Sequence, residues 1–174
     1  MAREYGVEAF CYWHYWFGNG RRLLERPFNE VLESGKPDFP FCLAWANHSW
    51  RGIYNGVKTK ESLIDQTYGG LSDYERHFYD VLPAFEDKRY VTVDGKPFFL
   101  IFAPAEIPDS REFIDCWQRL AARNGLTGIH FVAHTYQPND IDNFLSMGYD
   151  AVNVVRLFEY QRIGISFVQK FLIR

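Results

Sequence analysis

Five short apolar runs, separated by amphipathic helical patterns, constrain the fold of this chain more than any other feature of its sequence. The runs lack strict polar alternation, as is typical of parallel strands that are covered on both faces. Two of the four intervals between their first residues are 32 residues long and the last is 22, near the length of one β-α unit, while the second is 58. Repeated β-α units predict a parallel sheet, either open and doubly wound or part of a β/α barrel. The predicted strands are Val7–Trp13, Phe39–Trp45, Pro97–Phe102, Ile129–His134 and Ala151–Val155.

Four helical patterns lie between these runs and complete the predicted β-α units. Two of them open with a capping-box pattern, from Ser72 to Glu75 and from Asp109 to Glu112. The second interval between strands is longer than the others because it also holds an extra loop, Ala46–Gly70. The predicted helices are Arg21–Glu33, Ser72–Glu86, the segment between Asp109 and Gly125, and Asp140–Met147.

The chain is predicted to form one domain, a partial (β/α)8 TIM-type barrel of about five β-α units with parallel strands. A complete barrel needs eight units and about 250 residues, whereas this chain has 174. Ala2–Tyr5 resembles the last turn of a helix, and Ile163–Arg174 is an apolar stretch without a stop signal. We therefore expect a single domain over residues 1–174, truncated at both ends. The open sheet edges of such a piece favour self-association.

Composition and motifs exclude several classes of function. The net charge is −3 and no basic run is present, so a nucleic-acid partner is unsupported. No apolar stretch approaches the ~20 residues of a transmembrane helix, and the first residues do not read as a signal peptide. No glycine-rich phosphate loop follows a strand, and no cofactor is predicted. The three widely spaced cysteines, Cys11, Cys42 and Cys116, are predicted to be buried free thiols in a reducing, cytoplasmic compartment.

Aromatic and polar side chains gather at the carboxyl ends of the predicted strands, where parallel α/β folds bind ligands. Indole and phenol rings pack on the apolar face of a sugar, while imidazole, amide and guanidinium groups bind its hydroxyls. This mixture therefore predicts a carbohydrate site. Tyr12 and Trp13 also fit the filling of a barrel interior. The predicted sugar-binding residues are His14, Tyr15, Trp16, Trp45, Asn47, Trp50, Arg51 and Tyr136.

Three histidines, His14, His48 and His134, lie at or just past strand ends, where they could converge. No HxH or HExxH spacing is present, so we predict no metal and assign these rings to hydrogen bonding with a ligand or with backbone. His77, in a helix, and His130, early in a strand, are predicted to be structural.

Glycoside chemistry usually needs two carboxylates about 5 to 10 Å apart. Glu106 is the best-placed carboxylate, although it also fits a solvated loop charge, and Asp150 and Glu159 are weaker candidates. The other acidic residues considered, Asp65, Asp73, Glu75 and Asp109, are assigned to loops or helix caps.

Three motifs, FCYWHYWF, KPDFPFCLAWAN and DGKPFFLIF, give the chain a resemblance to a known family. Between Ala2 and Val155 it resembles the WbsX-type proteins of bacterial surface-polysaccharide gene clusters, also described as glycoside hydrolase family 99-like domains. The resemblance implies a (β/α)8 barrel and carbohydrate-active chemistry. The family is usually labelled glycosyltransferase, whereas its barrel is similar to that of endo-acting α-mannosidases, so glycosyl transfer and hydrolysis both stay open.

Two departures from the family pattern bear on activity. The family usually reads WANENW, whereas this chain has His48 in place of the acidic residue after Asn47. The family also begins with an acidic, Trp-rich segment that supplies the first barrel strand and that is not found here. Glu106 and His48 are the predicted catalytic residues.

Three hypotheses for function follow. The first is an enzyme that acts on glycosidic bonds in O-antigen or related polysaccharide assembly, with a carbohydrate substrate that is either a nucleotide-sugar or a lipid-linked glycan. The second is a non-catalytic sugar-binding or inactive fragment of such an enzyme. The third, a metal-dependent hydrolase of another class, rests on the histidines alone.

Overall fold

The computed structural model describes residues 2–52 and 61–156 of the chain. Five parallel strands, each paired with its neighbour in the chain, form the main sheet, so that spatial order follows sequence order. A doubly wound sheet reverses its strand order, whereas this order does not reverse, so the predicted partial β/α barrel is confirmed. The described strands do not form a closed barrel. The strands are β1 (Phe10–Trp16), β2 (Phe41–Trp45), β3 (Lys96–Ile101), β4 (His130–Thr135) and β5 (Ala151–Val154).

Four helices alternate with these strands, as predicted, and pack on one face of the sheet through aromatic side chains. Phe28 of the first helix contacts Phe41 at 5.5 Å between ring centroids. Trp117 of the third contacts Phe99 at 4.8 Å and Phe131 at 6.0 Å. In the described part of the chain, none of the helices has the length and hydropathy that a membrane crossing requires. The helices are α1 (Arg26–Ser34), α2 (Leu71–Phe85), α3 (Ser110–Arg123) and α4 (Ile141–Met147).

The first β-α unit differs from its prediction at both boundaries. β1 lies three residues further along the chain than predicted, so His14, Tyr15 and Trp16 belong to the strand and do not follow it. The predicted first helix begins too early: Arg22–Leu23 forms a short antiparallel strand against the end of β1. The helix starts instead at Arg26 with proline at its second position, where the missing N–H of proline costs nothing.

The two predicted capping boxes have opposite outcomes. Asp109 Oδ1 accepts a hydrogen bond of 2.8 Å from the Glu112 N–H, which confirms the cap of α3. Helix α2 begins one residue before Ser72, after Gly70, and no side chain caps it, so the Ser72 cap is wrong. Two further antiparallel pairs are short: Trp50–Arg51 pairs with Ser62–Ile64 inside the predicted loop, and Thr92–Val93 pairs with β3. The predicted apolar stretch Ile163–Arg174 lies outside the described residues.

A pair of buried imidazoles lies at the centre of the core. The Nε2 atoms of His14 in β1 and His77 in α2 are 2.8 Å apart. Burial, with a smaller contribution from the positive charge of Arg22, lowers the pKa of His14 to about 3. Burial also lowers the pKa of His77, and the neighbouring His14 adds to the effect. Both rings are therefore neutral, and one Nε2–H donates to the unprotonated Nε2 of the other.

Three tryptophan rings enclose His77. Its ring centroid lies 4.9 Å from that of Trp16, which it stacks against, 4.7 Å from that of Trp45 and 4.9 Å from that of Trp117. The cage therefore joins β1, β2, α2 and α3 around one histidine, in agreement with the structural role predicted for His77.

We expect the free energy of unfolding to decrease as the pH falls from about 6.5 to 5. The unfolded state takes up protons on His14 and His77 in this range, near their ordinary pKa of about 6.5, whereas the folded state keeps both rings neutral. Because the unfolded state binds more protons, each buried histidine contributes a slope of about 1.4 kcal/mol per pH unit. Urea unfolding across this range, monitored by tryptophan fluorescence, measures the slope.

A double variant, His14→Leu with His77→Phe, loses this part of the slope, while His130→Gln, outside the cage, keeps it. A double variant whose slope equals that of the unchanged chain would contradict the neutral pair.

Candidate functional site

The face of the sheet opposite the helices carries a second set of side chains, because successive residues of a strand point to opposite faces. Trp13 of β1 lies on this face and is 49% exposed. His134 of β4 is in register with Asn153 of β5, and Phe102 follows β3 beside them. We call this side the open face. It brings together, near the carboxyl ends of the strands, groups that come from distant parts of the chain.

Four rings on the open face surround the ring of Phe102. The ring centroid of Phe102 lies 5.0 Å from that of His48, 5.0 Å from that of His134, and 5.5 Å from that of Trp13. Tyr136 packs edge-on against His134 at 5.1 Å. We call Trp13, His48, Phe102, His134 and Tyr136 the Phe102 cluster.

The two histidines of this cluster carry hydrogen-bonding atoms without partners. The Asn153 side-chain amide nitrogen lies 3.0 Å from His134 Nδ1. Since the amide nitrogen donates, His134 Nδ1 accepts, and the neutral ring holds its proton on Nε2. Within residues 2–52 and 61–156, this buried Nε2 and the buried Nδ1 of His48 have no hydrogen-bond partner. An unpaired buried polar atom is costly, and a ligand hydroxyl that reached either nitrogen would satisfy it.

Burial favours the neutral form of both rings. Burial lowers the pKa of His134. Burial also lowers the pKa of His48, while the negative charge of Glu106 opposes the shift. The same carboxylate contributes to raising the pKa of Tyr68, where burial is the largest cause. Glu106 ends the short turn Pro104–Glu106 after β3 and is exposed, and its negative charge acts on His48.

Asn47 holds the carboxyl ends of β2 and β3 together. Its Oδ1 accepts a hydrogen bond of 2.7 Å from the Ala103 N–H, and its Nδ2 donates to the Ala103 carbonyl at 2.8 Å and to the Tyr68 hydroxyl at 3.1 Å. The Asn47 side chain is fully buried. Its amide group is therefore used in fixing the edge on which His48 and the turn to Glu106 lie.

Three predicted sugar-binding residues, His14, Trp16 and Trp45, lie on the helix-covered face. They are 5%, 3% and 1% exposed, and each contacts His77. His14 and Trp16 are alternate residues of β1, and Trp45 is the register partner of His14 on β2, so all three point to the same face. The structure brings His48 and His134 to one ring but leaves His14 on the other face of the sheet, so the predicted convergence of three histidines is wrong.

The other predicted residues lie on the site side. Trp50 packs edge-on against Tyr15 at 5.3 Å and Phe17 at 5.5 Å. Arg51, the second residue of the short strand Trp50–Arg51, is exposed. A cavity of about 360 Å³ opens beside Phe17, lined also by Asn19, Arg21 and the segment 63–65. Tyr136 is 46% exposed. Their sugar contacts stay predictions.

Sequence reasoning missed the central role of Phe102 and the partner of His134. The sequence pattern also fits Trp13 as barrel filling and indicates no role for Asn153. The available signal was the alternation within each strand combined with the register between strands. Tyr12 illustrates the same rule, because its ring packs against Phe28 of α1, on the opposite side from Trp13.

The remaining candidates have structural partners or lie outside the described residues. Asp150 Oδ2 accepts a hydrogen bond from the Phe131 N–H at 2.9 Å. Asp73 is buried in the first turn of α2, and its Oδ2 accepts from the Trp16 indole N–H at 3.3 Å. Glu159 lies beyond residue 156. Where the structure describes the chain, no group of three or more His, Cys, Asp or Glu side chains could hold a metal ion.

Comparison with known proteins finds one matching family and two curated relatives. The family described as Glycosyltransferase WbsX matches residues 1–170. Two relatives, each named Uncharacterized protein WxcX, come from Xanthomonas campestris pv. campestris strains B100 and ATCC 33913, and both are 31% identical over 153 residues. The match covers 87% of this chain and 21% of each relative, so the chain spans about a fifth of the length of these curated relatives. No solved structure matches. The family match extends over nearly the whole chain, and this protein therefore belongs to the Glycosyltransferase WbsX family.

Proposed function

We propose that the Phe102 cluster is a sugar-binding site in an enzyme that acts on glycosidic bonds during bacterial surface-polysaccharide assembly or processing. The observation that carries the proposal is the pair of buried, unpartnered ring nitrogens of His48 and His134, on either side of one aromatic ring. Family membership supports the substrate class. We further propose an O-antigen or related glycan as the product and the cytoplasm as the location.

Each part of the cluster has a distinct task in this proposal. The Nε2–H of His134 donates a hydrogen bond to a sugar hydroxyl, and Nδ1 of His48 bonds to a second hydroxyl. The exposed rings of Trp13 and Tyr136 pack against the apolar face of the sugar. Because both imidazoles already pack on Phe102, little side-chain conformational freedom is lost when the sugar binds.

Glu106 is the proposed acid or base. In glycosyl transfer, an acceptor hydroxyl oxygen attacks the anomeric carbon, the bond to the leaving group breaks, and the hydroxyl proton passes to a base. The Glu106 carboxylate is solvent-exposed and acts electrostatically on His48, which suits it to take that proton. The donor is a nucleotide-sugar or a lipid-linked glycan.

A second candidate function is sugar binding without catalysis. Glycoside hydrolysis usually uses two carboxylates on either side of the bond, whereas Glu106 is the one carboxylate in the described part of the chain whose charge acts on His48. The imidazole of His48 stands where the family pattern has an acidic residue. In this alternative the cluster holds a glycan for chemistry performed elsewhere in a longer protein.

We expect His134→Phe to weaken sugar binding about five- to tenfold, because it keeps a ring against Phe102 but removes the Nε2–H donor. The probes are methyl α-mannoside, methyl α-galactoside, methyl β-glucoside and N-acetylglucosamine, titrated by saturation-transfer NMR. His130→Phe is the matched control, since His130 lies on the same strand and the same face, four residues before His134. Equal loss in both variants, or saturation transfer from none of the four sugars, would overturn the site.

We expect Glu106→Gln to reduce sugar transfer by about 100-fold or more, since a general base contributes 10²–10⁴ in rate, while sugar binding is unchanged. Nucleotide release from a mixture of nucleotide-sugars in the presence of oligosaccharide acceptors measures turnover. Glu112→Gln, an exposed carboxylate on α3, is the control. Full activity of Glu106→Gln removes its role, and binding without turnover by the unchanged chain favours the second candidate.

We also propose that the chain self-associates through its sheet edges. In the described residues, β5 pairs only with β4, and its outer edge exposes N–H and C=O groups. We expect oligomers by light scattering. Because the Val155 N–H donates to Thr135 at 2.9 Å, the N–H of Val154 faces outward; Val154→Pro therefore removes an edge donor and should reduce the oligomer. A sharp monomer peak with cooperative melting contradicts the proposal.

A further inference from the structure

Two cysteines that are distant in sequence lie side by side on the open face. Cys11 of β1 and Cys42 of β2 are register partners in the parallel pair. Residues paired in this way point to the same face, and neighbouring strands lie about 4.8 Å apart. The Cα atoms of disulfide-bonded cysteines are usually ~4.4–6.8 Å apart. Cys11 and Cys42 therefore have a separation and a direction that a disulfide can bridge without a change of register.

The two thiols differ in exposure and interact with each other. Both are free; Cys11 is exposed and Cys42 is buried, which corrects the prediction that all three cysteines are buried. A hydrogen bond between the two side chains is the main cause of a lowered pKa for Cys11, which burial opposes, and of a raised pKa for Cys42. The accessible sulfur is therefore also the one with more thiolate character, as an attacking thiol requires.

The third cysteine provides an internal reference. Cys116 is buried on α3, 6% exposed, on the helix-covered side of the sheet. Burial raises the pKa of its thiol. It therefore lacks both the accessibility and the thiolate character of Cys11. We therefore expect Cys11 and Cys42 to be oxidised together, while Cys116 stays a thiol.

We propose that Cys11 and Cys42 form a dithiol modification site that closes reversibly to a disulfide by exchange with a small-molecule disulfide such as oxidised glutathione. The Cys11 thiolate attacks one sulfur of the oxidant, forms a mixed disulfide and releases the first small thiolate. The Cys42 thiol gives its proton to solvent, and its sulfur attacks Cys11 and releases the second thiolate. The two cysteines lose two electrons and two protons, and the oxidant becomes two thiols.

The site is separate from the Phe102 cluster. Cys11 and Cys42 lie at the amino ends of their strands, in register with Phe98 of β3 and His130 of β4. The cluster lies at the carboxyl ends. The disulfide would join the first two β-α units across 30 intervening residues, from Tyr12 to Phe41, and would constrain their unfolded state.

The test is peptide mapping of the whole chain after incubation with oxidised glutathione. Trypsin does not cut before Pro27 or Pro37, so Cys11 falls in the peptide 4–21 and Cys42 in the peptide 23–51. We expect these two peptides to be joined under non-reducing conditions, with the loss of two of three titratable thiols and of about 2 Da from the intact mass. Dithiothreitol should restore all three thiols.

Variants distinguish the pair from general oxidation. Cys11→Ser and Cys42→Ser should each abolish the joined peptide, with Cys42→Ser stopping at the glutathione mixed disulfide on Cys11, whereas Cys116→Ser should form the link as the unchanged chain does. Three thiols that persist through the incubation, a link that includes Cys116, or disulfides only between separate chains would each overturn the proposal. The mapping of the unchanged chain decides this even if a serine variant fails to fold.

Discussion

The hydrogen bond between two neutral imidazoles, His14 and His77, is the contact around which the described core is assembled. An unpaired polar group is costly at such a depth, and this bond supplies a partner to the Nε2 atom of each ring. The surrounding indoles meet the same demand: Trp45 donates to the Trp16 carbonyl at 2.9 Å, and Trp117 donates to the Tyr74 carbonyl at 3.0 Å. Large rings fill the volume and their N–H groups fix the orientation, so the aromatic-rich sequence yields one specific packing.

This core accounts for the position of the site. Once His14 and Trp16 point toward the helices, the residues between and before them, Tyr15 and Trp13, must point to the open face. The same alternation directs His134 away from the core and toward Phe102. One strand therefore supplies both the centre of the core and a wall of the site, and a change of register would exchange these two sets of side chains.

The order of the elements could be predicted from the sequence because strands and helices differ in length and period, and the Asp109 cap could be predicted because its signal is local. Which residues of β1 point toward the helices could not be predicted. Every residue from Phe10 to Phe17, apart from Cys11 and His14, is aromatic, so no polar alternation marks the inward side. Pairing with β2 and the partner His77 decide the register, and both are tertiary contacts. For the same reason the site prediction mixed core residues such as Trp45 with residues of the open face such as His48.

The sequential order of the strands bears on how the chain acquires its structure. Each described strand of the main sheet pairs with the strand of the β-α unit before it. None of these strands depends on a partner from the far end of the chain. Contacts of short sequence separation close early, because little loop entropy is lost in forming them. During synthesis, the sheet can thus grow one strand at a time, each new β-α unit docking on an edge that already exists.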